Sequence, residues 1–126
     1  MAITHTTALR NTLADAVDTA CNSGSTDASA DLVIMTSGDV EVATCIMSNP
    51  AFGAAATGVI TAASITDDTN ATGGTAALFK IQDRDNTEVF RGAVGTSGSD
   101  LNLSSLSIAS GDTVSITSFT YTQPAS

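Results

Sequence analysis

Short runs of Val, Ile, Thr, Leu and Phe recur along residues 31–121, separated by clusters of Gly, Asp, Asn and Ser. Few folds are open to a chain written this way, because β-branched runs bounded by turn residues form strands, and strands joined by short turns pair antiparallel. Residues 32–36 and 40–47 flank the turn Ser37-Gly38-Asp39 and read as a hairpin, with Val40, Val42, Thr44 and Ile46 sharing one face. Residues 59–66, 75–83 and 88–95 read as three successive strands, the middle one alternating Ala77, Phe79 and Ile81 against Lys80 and Gln82. Two short runs at 101–103 and 106–108 follow, then a long last strand over 113–122. In that strand Val114 and Ile116 occupy even positions but Phe119 and Tyr121 odd ones, so a bulge or bend is expected near Thr117 or Ser118. Eight strands in this order predict a mainly β chain, a jelly-roll-like antiparallel β-sandwich. An immunoglobulin-type sandwich is the nearest competitor, but its Cys and Trp pattern is missing.

Residues 1–24 are different. Leu9, Leu13, Ala16, Val17 and Ala20 fall at helical spacing, Thr6 or Thr7 can accept bonds from the free amides of a first turn, and Asn22-Ser23-Gly24 supplies a stop. One N-terminal amphipathic α-helix is expected, packed on a sandwich of residues 25–126 within a single domain, or offered to a partner. Residues 48–58 form a loop in which Phe52 lies among Gly53 and several alanines, outside any strand alternation. An apolar loop needs a cover: either it folds over the end of the sandwich, or Phe52 is buried at a subunit or partner contact. Leu9, Leu13, Val17 and Phe52 are the candidate partner-contact residues. The tail 123–126 reads as disordered.

Chemistry is harder to find. His5, the one histidine, lies before the helix at what reads as a frayed terminus, far from a triad arrangement. The carboxylates Asp83, Asp85 and Glu88 with Asn86, and Asp67 and Asp68 with Asn70, could offer oxygens to a cation. Both groups also sit where turns call for Asp and Asn, and no twelve-residue calcium loop is present. Paired carboxylates for glycoside hydrolysis would need a sugar cleft, and the chain has no Trp and a single Tyr, Tyr121. No catalytic, cofactor or metal residue is therefore assigned.

The net charge is −9, from 13 acidic and 4 basic residues, which argues against a nucleic-acid partner and for a well-solvated surface. No run is long and apolar enough to span a membrane, and no basic-then-apolar leader opens the sequence, so synthesis in a reducing cytoplasm is expected. There Cys21 and Cys45 are expected as two thiols, although a bridge between them is open to the sequence. With aromatics at 4%, a Val, Ile and Leu core is thin for this length and predicts added stability from association.

Several segments carry a resemblance: the opening Thr6-Thr7-Ala8-Leu9-Arg10-Asn11, the block Asn49-Pro50-Ala51-Phe52-Gly53-Ala54-Ala55, the run Ile65-Thr66-Asp67-Asp68-Thr69 with Gly73-Gly74-Thr75-Ala76-Ala77, and Ser110-Gly111-Asp112-Thr113-Val114. Together they resemble small virion structural proteins of tailed bacteriophages, over almost the whole chain. The resemblance implies a head decoration, or cement, protein on the capsid exterior, assembled in the host cytoplasm. Its implied partners are the major capsid protein and further copies of itself as dimers or trimers. It implies no enzyme activity and no cofactor. A tail or fibre component, or a glycan-binding adhesin-like module, is the alternative.

Overall fold

The structure, a computed structural model, describes residues 3–125. Helix α1 (Thr7–Cys21) begins where Thr6 stays extended and its Oγ1 accepts the Leu9 N–H at 3.1 Å, and it ends at Asn22. Its buried stripe is not the one predicted. Ala14 and Cys21 are buried, Leu13 and Val17 half-buried, while Ala16 and Ala20 are exposed and Leu9 is 43% exposed. The helix is turned so that Arg10, Ala14, Val17, Asp18 and Cys21 face inward, because its polar residues on that side bind backbone groups of a loop.

The strands are β1 (Asp31–Met35), β2 (Glu41–Ile46), β3 (Val59–Thr61), β4 (Gly74–Thr75), β5 (Leu78–Gln82), β6 (Glu88–Gly95), β7 (Leu101–Asn102), β8 (Ser107–Ile108) and β9 (Thr120–Thr122). Five of them make one sheet in the order β2-β1-β5-β6-β7, antiparallel except for the parallel β6–β7 edge. β3 pairs with β9, and β4 with β8. The chain is thus mainly β with one helix, and its mixed sheet curls into a half-barrel.

The predicted hairpin is β1–β2, but its faces are reassigned. Register places Cys45, Leu32, Ile81 and Phe90 in one row and Ala43, Ile34, Phe79 and Gly92 in the next, and these rows face the core. Ile46 and Val40 are left 52% and 62% exposed. The regular register with Asp31 turns Ile46 outward, while a bulge, Ile34 pairing with Ala43 but Met35 with Glu41, makes Val42 the extra residue and lets it be buried against Gly74. The β5–β6 hairpin is as expected, whereas the run at 59–66 shortens to β3 and leaves the neighbourhood of β5 for β9. The long last strand is interrupted as the side-chain parity foretold. Val114 bridges Asp68, regular pairing lapses, and the ladder resumes at Thr120, so burial passes from Val114 and Ile116 to Phe119.

The aromatic inventory of four Phe and one Tyr converges on one place. Phe79 meets Phe119 edge-on at 5.2 Å between ring centroids, Phe119 reaches Phe52 at 6.1 Å and Phe90 at 6.3 Å, and Phe90 reaches Tyr121 at 5.4 Å. Contacts of this kind add about 0.5–1.5 kcal/mol per pair beyond area burial. Few aromatics therefore do not mean a dispersed core. The outer edge of β2 is covered by the 65–73 stretch: Thr66 N–H donates to Ile46 O at 2.7 Å, Gly73 N–H to Val42 O at 3.1 Å, and the Asp68 carboxylate accepts Thr44 N–H at 2.9 Å.

Candidate binding cleft

Phe52 is only 1% exposed, so it is a core residue and the expectation of a partner contact through it is corrected. The cover for its loop is α1. Asn11, Asp15, Asp18 and Asn22 lie at i, i+4, i+7 and i+11, on one side of the helix. Their side-chain oxygens accept the N–H groups of Gly58 (2.8 Å), Ala55 (2.9 Å), Phe52 (3.0 Å) and Ala51 (2.9 Å) respectively. The loop is laid along the helix by this polar ladder. Gly58 lies at φ +77°, and a Cβ there would come within 2.7 Å of the Arg10 guanidinium, which passes over it to bond Gln123 O at 2.9 Å. The helical spacing of four Asn and Asp residues was visible in the sequence; reading only apolar periodicity passed over it. Of the helix candidates, Leu13 and Val17 are half-buried against the body and Leu9 alone is exposed.

The tail is not loose up to Ala125: Gln123 N–H donates to Gly58 O at 2.8 Å and His5 N–H to Ala125 O at 2.6 Å, tying both ends of the chain together. Ser126 lies outside the described residues. The acidic groups serve as turn and loop fasteners. Asp85 Oδ1 accepts from Ser25 N, Thr26 N and Thr26 Oγ1 at 2.8–3.0 Å, and these donors, Ser25 first, hold its carboxyl below the usual range. Asp83 Oδ1 accepts from Asp85 N and Thr87 N within its own turn. Among the described residues no three His, Cys, Asp or Glu side chains come together as a metal-ligand set. Cys21 and Cys45 are free and buried; burial, with smaller contributions from neighbouring carboxylates, pushes the Cys21 thiol up to about 12, and burial pushes Cys45 up to about 11.

A concavity between β6 and β9 measures about 400 Å³. Phe79, Phe90, Phe119 and Tyr121 line it, and Arg91, Ser99, Asp100, Thr120 and Thr122 stand around them. Gly92 makes the packing possible: a Cβ there would come within 2.7 Å of the Phe79 ring and 2.9 Å of Asp100 Oδ2. The charged groups are already engaged. Arg91 reaches Glu88 at 2.7 Å and Asp39 at 3.1 Å, holding the Glu88 carboxyl below its ordinary range, and Asp100 accepts the Ala93 N–H at 3.0 Å. Sequence reading placed Phe90 and Tyr121 in separate strands without bringing them together, since the β6–β9 proximity depends on the break in the final strand. Comparison of the chain with protein-family models, with curated proteins and with solved structures gave no match.

Proposed function

We propose that this chain is a virion structural protein of the head-decoration type, which binds the exterior of an assembled capsid and stabilises it by bridging major capsid subunits. The observation that supports this best is the β6–β9 cleft: an apolar floor between two strand edges, with its nearby charges tied into structural bonds rather than poised for proton transfer. Such a site binds. Copies arrayed on a lattice multiply modest contacts into strong stabilisation of the assembled state. The exposed Leu9, Val40 and Ile46 supply further apolar contact points, and self-association into dimers or trimers at symmetry positions belongs to the same proposal.

The finer architecture proposed with it is the jelly-roll-like sandwich, in which the β3–β9 and β4–β8 pairs form the start of a second layer over the five-stranded sheet. Phe119, beside β9, resting on Phe79 and Phe90 supports that layering. A tail or fibre component, or a glycan-binding module, is the second reading; it draws on Tyr121 and Phe90 beside Asp100, a small aromatic and polar grouping of the kind that takes a sugar ring. Imaging at side-chain resolution of virions made with this chain decides between them. Density across seams of the head shell is the expected result. Density in the tail, or none on the particle, overturns the capsid assignment.

A further inference from the structure

One wall of the cleft is the edge of β9 and the other is the part of β6 before Val94, where β7 takes over the edge, and the strand registers show which backbone groups each presents. On β6, Val94 N–H bonds Ala77 O at 2.9 Å, so with Phe79 opposite Gly92 and Ile81 opposite Phe90, residues 90, 92 and 94 direct their backbone groups toward β5. Arg91 and Ala93 point the opposite way. On β9, Gln123 N–H bonds Gly58 O and Ala62 N–H bonds Phe119 O, so residues 119, 121 and 123 face β3. Thr120 and Thr122 point away from β3, and both line the cleft. The Ala93 N–H is met by Asp100 Oδ2, a side chain standing where a strand would. No strand is paired with β9 on the side of Thr120 and Thr122, and β7 meets β6 only at Val94 and Gly95, so among the described residues no strand ladder engages Arg91, Thr120 or Thr122 on that side.

From this we infer that the cleft receives one extended strand from a partner protein, apolar at alternate positions and basic between them, which pairs with β6 and β9 together and completes the half-barrel. The inference rests on the reading of this chain as a binding component and names what that site binds. Two edges with no strand laid along them match the main-chain bonding of strand addition, and the aromatic floor takes every second side chain. β9 limits the doubly paired stretch to Thr120–Thr122, and about 400 Å³ lies within the usual range of ligand clefts. Charge selects the partner. At a net charge of −9 a second copy meets like charge, and beside the cleft the three carboxylates Asp39, Glu88 and Asp100 outnumber the two cations Arg91 and Lys80, which favours a basic segment over an acidic one.

The test titrates ¹⁵N-labelled full-length protein with an acetylated and amidated heptapeptide of alternating Lys and Val, and follows amide hydrogen exchange. Exchange at Arg91, Thr120 and Thr122 should slow by about tenfold or more, while Phe90 and Tyr121, already paired, change little. A peptide with Pro at its centre should fail. Thr120→Pro, which removes one cleft donor and leaves the β3 bonds of Phe119 and Tyr121, should weaken binding about tenfold. Ser99→Trp, which fills the cleft, should abolish binding and serves if Thr120→Pro does not fold. Three results overturn the inference: no slowing at about 1 mM peptide; slowing that follows protein concentration without peptide, which makes a second copy the occupant; or shifts of the aromatic rings without amide protection, which makes the cleft a small-molecule site. Peptide binding by a chain that is absent from heads retires the capsid reading alone, and wild-type head occupancy by Ser99→Trp retires the cleft alone.

Discussion

Two seams of the half-barrel meet the same physical demand in opposite ways. Where α1 runs beside the 51–58 loop, Gly53 and Ala56 donate their N–H groups to β3, and those of Gly58, Ala55, Phe52 and Ala51 turn to the helix, where Asn11, Asp15, Asp18 and Asn22 accept them one by one. Where β6 runs beside β9, one donor, on Ala93, is met by Asp100, and no strand ladder engages Arg91, Thr120 or Thr122 on the side that faces the aromatic floor. An unpaired backbone group away from water costs about as much as a lost hydrogen bond, so the first seam is bound shut. The second is half-exposed and can wait for a partner. The difference separates the part of the molecule that holds the fold from the part that can bind.

Substitutions on each seam test that division. The largest effect is expected at the closed seam's apolar anchor: Phe52→Ala should cost about 3–5 kcal/mol by urea unfolding, because the lost ring leaves a cavity against Phe119. Retained stability would return Phe52 to the surface role the sequence suggested. Next, Gly92→Ala should cost about 1–3 kcal/mol by forcing Phe79 or Asp100 aside, and should narrow the open cleft. Asp18→Ala should also cost about 1–3 kcal/mol and speed exchange of the Phe52 amide, whose acceptor it removes.

Alkali probes the interior on both sides. The Cys21 and Cys45 thiols ionise near 9 when free and at about 12 and 11 when folded, so their contribution is complete below pH 9 and is lost as pH rises through 11 and 12. Stability in reducing buffer should fall by up to about 1.4 kcal/mol per pH unit for each thiol above pH 9. Cys21→Ala should lessen that slope and limit the thiol-linked loss to the interval up to about pH 11. The smallest effect belongs to the open seam. Asp100→Ala should change the free energy of urea unfolding by less than about 1 kcal/mol, because water reaches the Ala93 N–H that it uncovers. A loss equal to that of Asp18→Ala would erase the contrast between the two seams.

Much of this was legible in the residues themselves. The helix begins at its Thr cap and stops at Asn22, and the β1–β2 and β5–β6 hairpins form about Ser37-Gly38-Asp39 and the Arg84–Thr87 turn, because capping and turn chemistry act over a few neighbours. The break before Phe119 was visible as a change of parity. Faces were less legible. Val40 and Ile46 alternate as core residues should, yet the register of β2 on β1 sets Cys45 opposite Leu32 and Ala43 opposite Ile34, so those two go inside and the bulge brings in Val42 as well. Leu9 matched the apolar period better than Ala14, but the helix is oriented by Asn11, Asp15, Asp18 and Asn22, whose partners lie 29–47 residues away.

By itself, then, the sequence determined what local forces determine: a capped helix, a mainly β chain, the principal turns and an acidic exterior that needs no fold to be read. The tertiary structure alone decided that Phe52 is core, that the five aromatic rings meet, and that β3 leaves β5 for β9. These outcomes depend on which distant backbone groups find partners. Such pairings compare free energies among whole arrangements of the chain, and a register shift of a single residue changes which side of every strand is buried.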